Sequence, residues 1–352
     1  MNSFQFNIFK EISRTNKGKN IMVSPLSIYH ILSLTANGAE NNTLKEMLKA
    51  LVHNGKEEMN KSNKLLSSTI EKFNSVELAN AVFTKFKPEN SFTDIIKEYK
   101  AKIDLLKDSA QLNKWCSDAT HGKISKILDS LGPNDLMVLI NAIYFKGIWK
   151  YTFDKNKNIK NAFMNFNKEP KTVEYMNITQ TFSYLDNEDV QVVSLKYQKD
   201  SLSALIILPK KESDINNYIQ AFTFEKYDYI LKNSFENKIN LILPKFEINF
   251  EDELKQNLTS LGMNDAFTDK ANFSGMCKSQ RLYIGKVIHK TFIKVDEEGT
   301  EAAAVTAVVI KTRSIGEKNK RMVVNRPFLV VIKSNKLPEN YDALFMAKIE
   351  KF

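Results

Sequence analysis

Histidine and cysteine, the side chains that most often bind metals or attack substrates, are scarce and widely separated in this sequence. The chain contains only His30, His53, His121, His289, Cys116 and Cys277. The histidines do not pair at metal-ligand spacing, and the cysteines form no C-x-x-C motif and are expected to stay reduced. Motifs for phosphate-binding loops, zinc proteases and serine hydrolases are missing as well. The sequence therefore predicts no metal, no cofactor and no enzymatic activity.

One segment near the C-terminus has a pattern that ordinary loops lack. After Gly299, residues 300–310 contain no Gly, Pro, Asn or Asp, although they follow a predicted strand that ends at Val295. Strand alternation puts six uncharged side chains on one face, small first and larger later: Thr300, Ala302, Ala304, Thr306, Val308 and Ile310. Glu301 and Lys311 fall on the other face. The segment fits a strand with one buried and one solvated face, or an alanine-rich helix.

The chain is basic, with 51 Lys and Arg against 41 Asp and Glu, a net charge of +10. Most lysines are interleaved with acids, which favours a solvated surface over a nucleic-acid site. Lys56, Lys61, Lys64 and Lys72 lie on a predicted helix interrupted by glutamates, so weak binding of heparin or another polyanion is only an alternative. Residues 311–321 are basic and polar, as expected of an exposed loop tip.

The apolar runs are too short to span a membrane, so no membrane partner is expected. The longest, residues 136–145, has the length of a core element and falls short of the roughly 18 residues that span a bilayer. The first residues carry no apolar region typical of a signal peptide. These features favour a cytoplasmic protein or one secreted without a leader, and a secreted mature chain is the alternative.

Helical patterns dominate the first part of the chain. Ser24 followed by Pro25 predicts a helix start, because serine caps the first turn and proline is preorganised for it. That helix is expected to end in a left-handed turn at Gly38. Thr43 and Glu46 have the spacing of a capping box, which predicts the start of the next helix.

Short apolar runs rich in branched residues dominate the rest of the chain. They include residues 136–145, 204–208, 239–243 and 328–332. Such runs are typical of central strands in covered sheets. No linker-like stretch divides the chain, so the sequence predicts a single α+β domain over residues 1–352, with helices packed on large sheets.

Six motifs between residues 20 and 348 occur in an order and spacing that resemble one protein family. They are residues 20–28 (NIMVSPLSI), 141–149 (NAIYFKGIW), 243–246 (LPKF), 299–304 (GTEAAA), 325–328 (NRPF) and 344–346 (LFM). On these motifs the chain resembles the serpin family and is identified as an inhibitory, intracellular-type member without a leader. Ala347 departs from the family pattern, which usually has glycine there.

The resemblance implies the serpin fold, in which helices pack around large mixed β-sheets and an insertable reactive-centre loop, here about residues 297–322, is exposed. It also implies inhibition of a serine protease as a suicide substrate. The protease cleaves the loop and forms an acyl-enzyme, and insertion of the cleaved loop into the central sheet traps it. The implied hinge, where Gly299 permits a bend, comprises Glu297, Glu298, Gly299, Thr300, Glu301, Ala302, Ala303, Ala304, Val305 and Thr306.

The family places the reactive bond after the fifteenth residue counted from the hinge glycine. That residue is Arg313, followed by Ser314. Arginine before the bond suits trypsin-like proteases, which implies a covalent complex with such a protease and a monomeric inhibitor. The alternatives are a non-inhibitory carrier or chaperone, against which the small uncharged hinge argues, and an inhibitor of a non-trypsin-like serine or cysteine protease.

Two further groups are implied as structural controls of insertion. The shutter, where buried polar groups hold the sheet closed or open, corresponds to Ser24, Ser27, Asn141 and His289. The breach, where the loop first enters the sheet, corresponds to Trp149, Lys245 and Glu297. Lys245 and Glu297 are expected to form an ion pair.

Overall fold

A computed structural model describes residues 3–122, 124–133, 135–199, 201–210, 214–300 and 320–352. In these ranges the α-helices are α1 (Phe4–Thr15), α2 (Pro25–Ala36), α3 (Asn41–Ala50), α4 (Lys56–Ile70), α5 (Asn90–Glu98), α6 (Ser109–Ala119), α7 (Ile215–Gln220), α8 (Phe224–Lys232) and α9 (Lys255–Ser260). The strands are β1 (Ile21–Val23), β2 (Val76–Thr84), β3 (Lys102–Leu105), β4 (Met137–Phe145), β5 (Gly147–Ile148), β6 (Ile159–Met164), β7 (Pro170–Asp186), β8 (Val190–Lys196), β9 (Leu202–Pro209), β10 (Phe235–Pro244), β11 (Phe246–Glu253), β12 (Lys286–Val295), β13 (Gly299–Thr300), β14 (Lys320–Val323), β15 (Phe328–Ser334) and β16 (Ala343–Ile349).

The described strands form two large sheets. A nine-stranded sheet has the order β1-β16-β15-β9-β8-β7-β10-β14, with β6 beside β7. A seven-stranded sheet has the order β3-β2-β4-β12-β13-β5, with β11 beside β12. Both sheets contain parallel pairs among antiparallel ones: β10 with β14 in the first, and β2 with β3 and β4 with β12 in the second. The predicted α+β class with large mixed sheets is therefore confirmed.

The apolar runs lie at the centres of these sheets. All nine residues of β4 and all eight of β9 are buried, as expected of strands covered on both faces. Helix α2 is buried along its whole length, because its apolar side chains surround the helix axis and it packs against both β4 and β16. This helix therefore joins the two sheets in one core.

The predicted start of α2 and the position of its end, with Asn37 as C-cap, are confirmed, but the left-handed geometry predicted at Gly38 is not. Ser24 caps the helix, since its hydroxyl accepts a hydrogen bond from the backbone N–H of Ser27 at 3.3 Å. Gly38 is absent from the described glycines with positive φ, so the left-handed stop is wrong. A Cβ at Gly38 would lie 2.8 Å from the Met276 Cβ. Glycine is needed there for close packing.

The capping box predicted at Thr43 and Glu46 is also wrong. Helix α3 begins at Asn41, and neither side chain caps it. The Thr43 hydroxyl accepts a hydrogen bond from the Asn272 backbone at 2.9 Å, and a Glu46 carboxylate oxygen accepts one from the Asp265 backbone at 2.8 Å. Tertiary hydrogen bonds to a distant loop therefore engage the two side chains that a capping box would use.

The two cysteines and one of the lysines considered for a polyanion lie in ordinary structural surroundings. Cys116 and Cys277 are buried and free, and burial raises the pKa of the Cys116 thiol to about 12. Lys56, one of the four lysines considered for a polyanion, forms an ion pair with Glu40 at 2.9 Å. Among the described residues there is no metal-ligand cluster, and no helix combines the length and apolarity needed to cross a membrane.

Candidate functional site

The candidate site is the seam between β4 and β12, which pair in parallel over seven residues, from Val138 with Lys286 to Tyr144 with Phe292. Beyond Phe292 the neighbour of β12 changes. Val295 pairs with Thr300 of β13, and Thr300 pairs on its other side with Gly147 of β5. Both pairings of β13 are antiparallel. Gly299 and Thr300 of β13, which belong to the predicted reactive-centre loop, therefore lie in the sheet at the end of the seam.

A tight reversal after β12 turns the chain back into the sheet. The Asp296 carboxylate accepts a hydrogen bond from the Glu298 backbone at 3.0 Å, and the Asp296 N–H donates to the Gly299 carbonyl at 2.9 Å. Aspartate commonly makes such a turn with its own side chain. Asp296 was not identified from the sequence, although its position three residues before a glycine is a turn signal.

Gly299 lies where two backbones approach closely. A Cβ at this position would lie 2.0 Å from the carbonyl oxygen of Gly147 and 2.8 Å from the Ile148 Cα. The described glycines with left-handed φ are Gly18, Gly122 and Gly262, so Gly299 does not adopt that conformation in the intact chain. Close approach is therefore one reason for glycine here, and the bend that it is expected to permit during insertion stays a prediction.

Thr300 is fully buried and is held by an aromatic pair. Its hydroxyl is hydrogen-bonded to the Tyr197 hydroxyl at 2.8 Å, and the Tyr197 ring stacks on Trp149 with centroids 4.4 Å apart. The Trp149 indole N–H donates to the Asp296 carbonyl at 3.0 Å, and its backbone N–H donates to the Glu298 carbonyl at 2.9 Å. Trp149 thus holds the turn that precedes Thr300. Tyr197 lies outside the sequence motifs and was missed.

A charged cluster flanks the turn between β12 and Thr300. The Lys245 ammonium lies 3.1 Å from Glu297 and 2.8 Å from Glu174, so the expected ion pair is present. The Asn158 amide donates to both carboxylates. Burial opposes a charged Lys245, but its two carboxylate partners outweigh burial and raise its pKa. Burial also disfavours a charged Glu297, whose bonds to Asn158 and Lys245 nevertheless lower its pKa. Both groups are therefore charged at neutral pH.

A second polar cluster lies deep under the middle of the seam and contains all four residues predicted for the shutter. The Asn141 amide donates to the Ser27 hydroxyl and, at 2.6 Å, to Asn80. Its oxygen is hydrogen-bonded to His289 Nδ1 at 2.6 Å. The Ser24 backbone N–H donates to His289 Nε2 at 3.1 Å. Because Nε2 accepts, the proton of the neutral ring is assigned to Nδ1.

This polar cluster connects β4, β12, β2 and β16. Asn141 of β4 and His289 of β12 are register partners, so their hydrogen bond crosses the seam itself. Asn80 faces Asn141 from β2, and Ser24 also donates to the Leu344 carbonyl in β16 at 2.7 Å. Asn80 was missed, although a lone polar residue in an apolar strand run was a usable signal.

The pKa of His289 predicts an acid-sensitive fold. Complete burial lowers this pKa from 6.5 to about 3. Between pH 6.5 and 3 the His289 ring is protonated in the unfolded chain and neutral in the folded chain. The free energy of unfolding therefore falls as the pH falls, by up to about 1.4 kcal/mol per pH unit.

We expect His289→Gln to be less stable at pH 7 but to lose less stability between pH 6.5 and 4, measured by denaturant unfolding. His121→Gln, at an exposed histidine, is the matched control and should keep the wild-type pH slope; identical slopes in all three proteins would contradict the assignment.

The remaining predicted site residues lie outside the described residues. These are Glu301, Ala302, Ala303, Ala304, Val305, Thr306, Arg313 and Ser314. The described chain stops at Thr300 in the seven-stranded sheet and resumes in β14, which pairs in parallel with β10 of the nine-stranded sheet. Residues 301–319 therefore connect the two sheets.

Comparison with known proteins decides the family. The model of the family Serpin (serine protease inhibitor) matches residues 1–351. This chain is a serpin. It is 33% identical over 338 residues to intracellular coagulation inhibitor 2 of Tachypleus tridentatus, covering 90% of this chain and 83% of that protein. It is 32% identical to human serpin B8 over 354 residues, covering 95% and 94% of the two chains.

Solved structures agree with this assignment. The native state of tengpin, a thermophilic serpin, superposes with a TM-score of 0.90 at 33% identity, covering 99% of this chain and 92% of that one. The serpin fold expected from the motifs is therefore confirmed. The named inhibitors among its relatives support protease inhibition as the general function and proteases as partners, in a family that also has non-inhibitory members.

Proposed function

We propose that this serpin inhibits a trypsin-like serine protease as a suicide substrate, with Arg313–Ser314 as its reactive bond. The observation that carries the proposal is the position of Gly299 and Thr300, which already lie between β12 and β5 and are antiparallel to both. A strand that continued from Thr300 would separate β4 from β12. It would replace one parallel pairing by two antiparallel ones, which are the more stable kind.

The protease supplies the catalytic groups, and its reaction stops at the acyl-enzyme. The protease serine attacks the Arg313 carbonyl carbon, the bond to the Ser314 nitrogen breaks, and that nitrogen takes a proton from the protease histidine. Arg313 remains bound to the enzyme as an ester. The freed segment from residue 301 onward then enters the seam and carries the protease with it. Inhibition requires insertion to be faster than hydrolysis of the ester.

The two polar clusters set the barrier and the starting point for insertion. Opening the seam must break the Asn141–His289 hydrogen bond, so we assign Ser24, Ser27, Asn141 and His289 to control of opening. The Lys245–Glu297 pair and Trp149 hold the residues just before β13, so we assign them to alignment of the entering strand. In this role the chain acts as a monomeric, single-domain inhibitor and catalyses no reaction of its own.

A carrier function and inhibition of another protease class make different predictions. A carrier does not need an uncharged hinge face, yet Thr300 is buried and residues 302, 304 and 306 are Ala, Ala and Thr. A protease that prefers apolar residues would not select the basic stretch around Arg313. Inhibition of a trypsin-like enzyme therefore fits both features best.

Incubation with trypsin tests the proposal directly. We expect a complex that resists SDS and runs at the summed mass of the 40.4 kDa chain and the protease. Arg313→Ala should slow complex formation about a hundredfold, since the specificity pocket of trypsin selects a cationic side chain. Lys311→Ala is the matched control in the same loop and should retain most of the rate.

The outcomes separate the parts of the proposal. Cleaved chain without any complex would exclude suicide inhibition of trypsin-like enzymes. Unchanged complex formation by Arg313→Ala would place the reactive bond elsewhere, with Lys311, Lys318 and Lys320 as the next positions to replace. Complex formation only with elastase-like or cysteine proteases would exclude the trypsin-like specificity.

A further inference from the structure

A cavity of about 720 Å³ lies where the turn after β6, the end of β9, the start of α7 and the segment before β15 meet. Of the elements named, none belongs to the seven-stranded sheet. Its volume is in the range typical of small-molecule sites. The cavity is therefore separate from the insertion site, and an inference about it does not depend on protease inhibition.

One wall of the cavity is apolar and exposed. It is formed by Met164, Phe166, Ile215 and Pro327, and the first two side chains are 42% and 46% exposed. Hydrogen bonds fix the backbone behind this wall: the Met164 N–H donates to the Asn325 carbonyl at 2.8 Å and the Phe166 N–H to the Glu350 carbonyl at 2.9 Å. A preformed apolar wall of this kind gains free energy when a hydrocarbon covers it.

The charged residues of the lining are mostly cationic. Among the described residues, Lys17, Lys168, Lys210 and Arg326 line the cavity, against the single acid Asp214. Lys210 is paired with Asp186 at 2.6 Å outside the lining. Arg326 is anchored by its Nε, which donates to the Pro209 carbonyl at 2.9 Å. Lys17 and Lys168 therefore supply positive charge next to the apolar wall.

The floor of the cavity does not need a ligand to satisfy its polar groups. Asn216 accepts a hydrogen bond from the buried Lys348 ammonium at 2.9 Å and donates to Glu350 and Asp214, each at 2.7 Å. Asp214 is thus engaged with the floor through Asn216. The ligand that complements the remaining surface has one anionic end and one apolar end.

We propose that this cavity binds a free amphipathic carboxylate of the fatty-acid type. The carboxylate accepts charge-assisted hydrogen bonds from Lys17 and Lys168. The hydrocarbon chain covers the exposed side chains of Met164 and Phe166. Neither half alone matches the affinity of the two together, because exposed ion pairs are weak and a short wall offers limited apolar area.

Isothermal titration of the full chain with decanoate tests this proposal, with acetate and 1-decanol as probes of the head and the tail. We expect one saturable site for decanoate, weaker binding of 1-decanol and no measurable binding of acetate. The double variant Lys17→Gln/Lys168→Gln should weaken decanoate at least tenfold and leave 1-decanol unchanged. Lys19→Gln, at an exposed lysine outside the lining, is the matched control. Met164→Gln should weaken both decanoate and 1-decanol.

Other results would overturn the proposal. Absence of saturable decanoate binding, or equal affinity in wild type and the double variant, excludes this site. Self-association in light scattering that is lost in Met164→Gln, without decanoate binding, would identify a second copy of the chain as the occupant. Trypsin inhibition by the double variant should equal that of wild type, so failure here is distinguishable from failure of the proposed function.

Discussion

Under the proposed mechanism, Thr300→Glu is expected to convert this serpin from an inhibitor of trypsin into a substrate. Thr300 is the first loop residue with its side chain inside the seven-stranded sheet, where it is fully buried and bonded to Tyr197 at 2.8 Å. The side-chain partner of Thr300 is the Tyr197 hydroxyl, which burial keeps neutral by raising its pKa. A carboxylate in its place would be buried without a counter-charge.

Because Thr300 is already buried in the intact fold, we expect glutamate at this position to keep residue 300 out of the sheet until the loop inserts. The penalty then falls on the insertion step, and cleavage of the reactive bond is unaffected. An unpaired buried charge costs several kcal/mol, and about 4 kcal/mol added to the insertion barrier slows this step roughly a thousandfold. Hydrolysis of the acyl-enzyme then wins. Gel analysis of trypsin reactions should therefore contain cleaved chain and free protease in place of the SDS-resistant complex, with many moles of serpin consumed per mole of trypsin.

Two variants at the same position separate charge from size. Thr300→Ser keeps the hydroxyl that bonds Tyr197 and should inhibit like wild type. Thr300→Gln has the size of glutamate without its charge and should form more complex than Thr300→Glu. If Thr300→Glu forms the complex with wild-type stoichiometry, this face of the loop does not enter the sheet.

Much of the insertion site could be predicted because its residues have strong local signals. Ser24 before Pro25 marked the start of α2, and the unbroken apolar run at residues 136–145 marked the buried strand on one side of the seam. The polar Asn141 inside that run, together with His289, was recognisable from the family motifs. These signals lie in single segments and do not depend on which distant residue completes the contact.

The unpredicted parts of the site depend on tertiary contacts. Tyr197 and Asn158 contact the hinge from segments far away in sequence, and nothing in their own neighbourhoods distinguishes them from other polar residues. Thr43 was misassigned for the same reason, since a distant loop takes the hydroxyl that a local cap would use. The fully buried pair Lys348 and Glu350 is a further case: burial lowers the pKa of Lys348, and only the folded surroundings supply its partner.

Cleavage of the reactive bond is expected to raise the Tm of the protein by about 15 °C. The seam pairs β4 and β12 over seven residues. An inserted strand breaks these seven pairings and forms one new set of backbone pairings with β4 and another with β12. The net gain is therefore about one set of inter-strand hydrogen bonds. At about 1 kcal/mol per net hydrogen bond, seven such bonds contribute roughly 7 kcal/mol. A chain of this size gains about 2 °C in Tm per kcal/mol.

The measurement compares calorimetric scans of intact and trypsin-cleaved protein, with Thr300→Glu as the control that is cleaved at the same bond. The wild-type chain should gain the full increment, whereas the variant should gain much less because its strand carries a buried charge. The same hydrogen bonds that stabilise the cleaved form are absent from the intact one, where Asn141 and His289 hold the seam shut. The intact fold is therefore metastable in this proposal, and equal Tm values before and after cleavage would mean that no strand inserts.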